Sequence, residues 1–420
     1  MTRDSDFKKL VRQRMAATGQ SYTAARAAIC RSAADVDLTL VRRAFGLKTS
    51  YAAAFDGGHA PSGIGASEYL FNPMVAWGRS TNVFLENGAR LCLRPDESGV
   101  AQPAYATPEC DSIVELVAAE RAGDLILARL ANRAEAALSR EGSPATLAVS
   151  GRAAAQSESY LVASAVAPER YLRLLEPFLA TRWIYERAVA PQLPQAALAG
   201  VSFADESRYR RLKITGADRG LSQLATFLKV GATEQVLRLA ESSAEVPAGY
   251  GGYIRPIDAV HAQHAYLAAA RRIRRRPEDD IILDAWQAAL DNREDGQDPA
   301  PGSGHWDLRE SPGGPVGDIP PVSAAMANLS QAGILIATAA QIETAVDLPP
   351  QTTRARLRGL FIKTAKDHRR NFTLDWVHLK LNDTAMRTVR CLDPLDANLE
   401  MAERLITSIN RVSSAEGLRS

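Results

Sequence analysis

The dipeptide Asn87-Gly88, set inside NVFLENGARLCL, limits what this chain can fold into more than any other short string. A two-residue loop closing a hairpin needs positive φ at its centre, which asparagine and glycine tolerate best. The flanking residues alternate in polarity, so the segment reads as strand, turn, strand. An antiparallel sheet is therefore expected through this region, and the remaining elements have to be arranged around it.

FGLKTSYAAAF, ATLAVSG, SESYLVASAV and YRRLKITGAD alternate as further strands. Helical spacing marks EYLFNPMVAWG, DSIVELVAAERAGDLILARLANRAEAALSREG, PERYLRLLEPFLATRWIYERAV and LSQLATFLKVGATEQVLRLAE. Strands and helices mixed in this way indicate an α+β protein. Residues 292–323 hold twelve Gly and Pro and read as a flexible loop. Beyond it a helix from Ala324 to Ala340, the stretch TTRARLRGLFIKTAKD and the strand-like FTLDWVHLKL form a small C-terminal unit. Phe7, Leu10, Val11 and Met15 recur at helical spacing, Gly19 ends that helix and Ser21 caps a second, which gives a helical hairpin over 5–32. The expected organisation is a basic helical extension over 1–43, a main domain over 44–291, the loop over 292–323, and a last core helix with the C-terminal domain over 324–420.

Composition excludes more than it assigns. A formal net charge of +2 gives no global case for nucleic acid or membrane as partner. Residues 1–45 are the exception, with nine Arg/Lys and four Asp. That surplus is either a docking arm for an acidic partner or a solvated helix face. Cys30, Cys92, Cys110 and Cys391 are scattered without a C-x-x-C pair, which fits a reducing cytoplasm and argues against zinc or a disulfide framework. His261 and His264 sit three apart on a helix without a nearby carboxylate and make a poor metal pair. No export signal and no apolar run long enough for a bilayer are visible. No G-x-G-x-x-G or Walker loop is present.

Five strings are more particular. VAWGRSTNVFLENGARL (75–91), YATPECDSIVELVAAERAGD (105–124), YRRL with FLKVGAT (209–233), PPQTTRARLRG (349–359) and FTLDWVHLKLND (372–383) resemble the Pup ligase and Pup deamidase family, also called proteasome accessory factor A. The resemblance runs in order from about Phe45 to Ile409. It implies a glutamine-synthetase-like fold, in which a curved antiparallel sheet holds ATP and magnesium and carries helices on its outer side. It also implies the chemistry of a carboxylate–amine ligase, which phosphorylates a glutamate side chain of the small protein Pup and passes it to a lysine. The deamidase branch hydrolyses the amide at the same position. Magnesium in such a site needs hard oxygen ligands.

At the positions matching the family's carboxylates this sequence departs from the pattern. Gly-Ile-Glu-Thr-Glu becomes Gly46-Leu47-Lys48-Thr49-Ser50, and the aspartate of Arg-Leu-Tyr-x-Asp becomes Arg94. Pro-Glu-Tyr becomes Pro103-Ala104-Tyr105, and the histidine after Arg-Arg-Leu becomes Lys213. Glu109 and Glu158 remain as residual metal candidates. Lys48, Arg94, Lys213, Arg210, Arg211, Arg354 and Arg356 remain as candidates for binding an anion or nucleotide. Lys48, Arg94 and Lys213 either replace metal charge and hold a phosphate or carboxylate directly, or pair with Glu109, Glu158 or Asp218.

The expectation drawn from these substitutions is a catalytically degenerate family member, not an enzyme. It would serve as a binding or regulatory subunit that recognises a Pup-like protein or an intact homologue in a hetero-oligomer, with no catalytic residue and no cofactor. The alternative is an active ATP-dependent carboxylate–amine ligase or amide hydrolase with altered metal and substrate chemistry, the only reading in which ATP and magnesium enter.

Overall fold

The computed structural model describes residues 39–56, 65–71, 82–95, 101–150, 155–182, 200–206, 209–219, 222–242, 256–273, 276–294 and 336–416, with 12, 15, 21 and 22 as isolated positions. Apart from those positions and 292–294, the helical hairpin over 5–32 and the loop over 292–323 lie outside the described residues.

Strands β1 (Phe45–Ser50) and β2 (Ala52–Phe55) precede helix α1 (Ala66–Phe71). The Asn87-Gly88 hairpin joins β3 (Asn82–Phe84) to β4 (Arg90–Pro95), with Gly88 at φ 78° and Leu85 N–H bonded to the Ala89 carbonyl at 2.9 Å. Strand β5 (Ala101–Ala106) leads into the long helix α2 (Ile113–Arg140), then come β6 (Leu147–Ser150), β7 (Ala155–Ala163) and α3 (Pro168–Thr181). Next are β8 (Gly200–Glu206), β9 (Tyr209–Asp218), α4 (Gln223–Glu241), α5 (Pro256–Ala270) and α6 (Pro277–Glu294). The last described part holds α7 (Ala339–Asp347), α8 (Ala355–Asp367), β10 (Phe372–Leu374), β11 (His378–Leu381), β12 (Thr388–Arg390) and α9 (Glu400–Glu416).

Seven strands form the main sheet in the order β3-β4-β5-β1-β7-β9-β8, antiparallel at every pairing. Its centre, β1, alternates: Phe45, Leu47 and Thr49 are buried against the helices, while Gly46, Lys48 and Ser50 face the other way and are half-buried. Burying a side chain such as Phe45 or Leu47 is worth about 1.5–3 kcal/mol. Helices α2 and α4 lie on that face. Ser112 caps α2, its hydroxyl accepting from Glu115 N–H at 3.5 Å, and Gly142 at φ 78° follows the helix's other end. Gly123 sets how close α2 approaches the sheet, since a Cβ there would stand 2.5 Å from Tyr105 Cδ1 on β5. A separate small core joins α8 and α9 to the three-stranded sheet β10-β11-β12.

Two expectations need correction. The structure has three sheets, none closed or strongly curled, in place of the curved glutamine-synthetase-like sheet. Strands bend chiefly at bulges, and the ladders of the seven-stranded sheet shift register at one place, between Gln156 and Glu158 of β7. With so few bends, its edge strands β3 and β8 stay apart. The helix expected from Ala324 to Ala340 is seen only from Ala339 and continues to Asp347; residues 324–335 lie outside the described set. Its start is set by Thr338, which forms a reciprocal cap with Gln341.

Candidate active site on the open sheet face

Strand alternation decides which side of the sheet each candidate occupies. Lys48 stands opposite Ala106 on β5 and Ser157 on β7, and Ser50 stands opposite Ala104. Arg90 pairs with Ala106 and Cys92 with Ala104. Across β7, Ser159 is opposite both Gly46 and Lys213, and Arg211 is opposite Leu161. Lys48, Ser50, Arg90, Ser157, Ser159, Arg211 and Lys213 therefore share the face turned away from α2 and α4. Ala104 and Cys92 share it too but are fully buried. From β4 through β7 no open-face position carries Asp or Glu. Asp218 stands only at the end of β9, opposite Ala155.

Arg94 stands opposite Gln102 near the end of β4, in phase with Arg90 and Cys92. The remaining candidates go elsewhere. Arg210, one residue out of phase with Arg211, donates to the Val166 carbonyl at 3.1 Å beyond the end of β7. Arg356 serves the C-terminal unit, donating to the Ala397 carbonyl at 2.8 Å and to Glu403 at 3.1 Å.

Glu158 pairs in register with Leu47 and so points into the helical layer. It is fully buried and forked by Arg182, with contacts of 2.6 and 3.0 Å, while Tyr160 donates to it at 2.5 Å. Burial would raise its carboxyl pKa, but Arg182 and Lys229 outweigh this and hold it below the usual range.

Glu109 precedes α2 and faces the C-terminal unit. Arg354 Nε donates to it at 2.9 Å and Arg358 adds a two-pronged contact. Its pKa is held down to about 2: burial pushes it up, and Arg358 and then Arg354 more than reverse that. Arg354 also donates to the Cys391 and Leu392 carbonyls at 3.0 and 3.2 Å.

A buried polar network behind β1 went unseen in the sequence. Arg219 bonds Glu120 at 2.8 Å and Asp124 at 2.6 Å, and Tyr51 donates to Asp124 at 2.9 Å. Gln156 donates to Thr49 at 2.9 Å and to Glu120 at 3.2 Å, and accepts from the fully buried Lys229. Arg90 was also missed. Its guanidinium lies 5.5 Å from the Trp376 ring centre and 5.8 Å from Phe84. The one available signal was its place three residues after Asn87, where the hairpin register fixes its face.

The described residues do not fit a magnesium ion. No group of three or more His, Cys, Asp and Glu among them could hold a metal, and the open face offers hydroxyls and cations. A divalent ion about 6 Å from one lysine would meet a repulsion of about 5 kcal/mol at an effective dielectric near 20. The same face suits phosphate or carboxylate oxygens, which lysine, arginine and serine hydroxyls bind directly.

The description "Pup-ligase protein" belongs to the family model that matches residues 33–188, 201–250 and 317–380. The chain belongs to the Pup-ligase family. It is 34% identical over 456 aligned positions to a Pup–protein ligase of Acidimicrobium ferrooxidans, covering 88% of this chain and 99% of that one. The Pup–protein ligase of Mycobacterium tuberculosis is 33% identical over 461 positions, covering 88% and 100%. Among solved structures, the complex of prokaryotic ubiquitin-like protein Pup with its ligase PafA superposes with TM-score 0.70 at 24% identity, covering 91% of this chain and 94% of that one. PafA in complex with ADP gives TM-score 0.59 at 24% identity.

These Pup ligases overturn the expectation of a catalytically degenerate, non-enzymatic subunit. The chain runs along nearly the whole length of proteins named as ligases, at one residue in three, and keeps their fold. The physical reason is that losing metal-facing carboxylates removes one way of neutralising phosphate charge and leaves another. Preorganised cations stabilise developing negative charge as well. No helix among the described residues is long and apolar enough to cross a membrane.

Proposed function

We propose that this Pup-ligase family chain is an active ATP-dependent carboxylate–amine ligase with altered metal and substrate chemistry, and that a Pup-like protein is its partner. The observation that carries the reading is the 34% identity running through 88% of this chain and 99% of a Pup–protein ligase. ATP would supply the phosphoryl group that turns a carboxylate into an acylating species. The chain's own part is positioning and charge. Lys48, Lys213, Arg211 and Arg90 surround a floor of small side chains, which supports holding anionic groups while the amine approaches. The register of β1 against β7 fixes Lys48 relative to Ser157, and the polar network behind β1 keeps that strand in place.

The reading places the protein in the cytoplasm, in keeping with the free, buried thiols of Cys92, Cys110 and Cys391. It takes residues 44–291 as the catalytic unit and 324–420 as a second unit with its own small core. Assembly with Pup would make a hetero-oligomer, as the PafA complex is described.

The test mixes purified protein, ATP, Pup ending in glutamate and a lysine-bearing acceptor protein, and follows ADP release and isopeptide mass. The M. tuberculosis ligase serves as positive control. Both products are expected. ADP and isopeptide from the control alone would overturn the reading.

A further inference from the structure

A separate recess lies on the α2 side of the main sheet. Helix α2, the turn of the β3–β4 hairpin, the end of α7 and helix α8 border a groove of about 690 Å³. Its floor is apolar, built from Leu85, Ile126, Leu130, Val346, Leu348 and Leu360. Leu348 is 57% exposed and Leu360 38%, so part of that floor stands open to solvent. The exposed side chains of Arg129, Arg133, Lys363 and Lys366 line the same groove. Arg133 also borders a second recess of about 390 Å³ that takes in Ala136, Ala137, Arg140 and Glu141. Together the two follow α2 from Ile126 to Glu141, a run of about 22 Å.

The walls are braced. Lys366 pairs with Glu86 of the hairpin at 2.9 Å, and Arg129 with Glu343 of α7 at 2.6 Å. Gly359 lets α8 lie against the turn, since a Cβ there would stand 2.2 Å from the Glu86 carbonyl oxygen. A groove formed in advance spares a ligand the cost of ordering it.

Charge decides what fits. Six basic side chains line the two recesses against three acidic ones, Glu86, Asp347 and Glu141. Among the described residues the side chains of Arg133 and Lys363 make no hydrogen bond or ion pair. An apolar floor flanked by cations accepts an amphipathic helix with leucine-like side chains on one face and carboxylates beside them. The same charge sets aside residues 1–45 of this chain, with nine Arg/Lys to four Asp, as the occupant. It also repels a lysine ammonium, so an acceptor held here is held by a part other than the lysine it offers.

We propose that the groove between α2 and α8 docks an acidic amphipathic helix of the acceptor protein, the partner that supplies the lysine. The proposal takes from the ligase reading only that such an acceptor exists.

The test uses one lysine-bearing acceptor protein in two forms, each with a tail of about 15 residues, enough to span the groove as a helix. One tail sets leucine and glutamate at helical spacing; in the other, lysine replaces glutamate. Fluorescence anisotropy reads the binding of each labelled acceptor to the full chain without ATP. The glutamate tail should bind at least about tenfold tighter and lose most of that advantage in about 0.5 M salt. Arg133→Glu, Lys363→Glu and Leu360→Ser should each weaken it about fivefold or more. Arg404→Glu, on α9 outside the groove, should change it less than about twofold. In the isopeptide assay the three groove variants should raise the acceptor KM and leave kcat alone. Equal binding of the two tails, or an equal loss with Arg404→Glu, would overturn the proposal. So would labelled Pup that loses affinity with Lys363→Glu while the acidic acceptor does not, or a dimer in sedimentation that the same variant dissociates. Isopeptide formed at one KM with both tails sinks the groove and spares the ligase reading. Tail-selective binding by a protein that forms no isopeptide does the reverse.

Discussion

Glu109 takes both prongs of the Arg358 guanidinium, Nη1 to Oε2 at 3.0 Å and Nη2 to Oε1 at 2.9 Å. The same guanidinium donates to the Gly88 and Trp376 carbonyls and stacks 4.6 Å from the Trp376 ring centre. One side chain on α8 thus ties together the hairpin, the residue leading into α2, and the C-terminal sheet.

Replacing Arg358 by alanine leaves Glu109 with Arg354 alone and strands the Gly88 and Trp376 carbonyls. Breaking such a pair costs about 3–5 kcal/mol. Hydrogen exchange across 355–367 should therefore accelerate at least a hundredfold. Lysine cannot make the fork and should recover little of the loss. Unchanged protection of α8 in Arg358→Ala would refute the tethering role.

Acid should loosen the molecule in a defined window. Glu109 and Glu120 both have pKa values held down to about 2 from an ordinary 4.5. For Glu120, burial acts upward and is overcome by Arg121 and Arg219. A depressed folded value means the stabilisation is complete above about pH 4.5 and declines below it. It is gone once pH falls through about 2, with roughly 3 kcal/mol at stake for each group. Urea midpoints from pH 6 down to 2 should fall mainly below 4.5, and Glu109→Gln should flatten that fall. A flat wild-type profile between 4.5 and 2.5 would contradict the assignment.

Glu158 is expected to matter for folding and not for metal. Glu158→Gln leaves Arg182 buried beside a neutral amide, so the apparent thermal midpoint should drop by several degrees. Magnesium binding measured by titration should be the same in variant and wild type. A magnesium signal that vanishes with Glu158→Gln would place this carboxylate at a metal after all.

Gly123 is a spacing device between α2 and β5. Gly123→Ala should cost about 1–3 kcal/mol through collision with Tyr105, and Tyr105→Leu in the same chain should return part of it. A double-mutant cycle reads the coupling directly. Additive losses would show that the helix is not held at this distance by the glycine.

Much of this was legible beforehand because it rests on local chemistry. The Asn87-Gly88 pair declares a hairpin, although the loop takes in Glu86 and only Gly88 has positive φ, the periodicity of 113–140 declares a helix, and the order of the strings from 75 to 383 declares the family. The faces were less legible. Glu158 and Lys213 fall in matching motifs, yet only the pairing of Glu158 with Leu47 and of Lys213 with Ser159 shows them on opposite sides of one sheet. A single-residue change of register exchanges the two faces. Sheet curvature was hidden for a related reason, since it depends on where ladders slip. The judgement on activity failed differently, because it took the cations at the lost carboxylate positions as a bar to catalysis.

The hairpin's partners lie far along the chain. Asn87 Nδ2 donates to the Ala345 carbonyl at 2.8 Å, and the Arg358 contact to Gly88 spans 270 positions. A polypeptide leaving the ribosome can close this turn locally, but must wait for some 258 to 270 further residues before the groups that lock it emerge. Until then β3 and β4 lack both contacts, so the late segment decides when the hairpin becomes fixed.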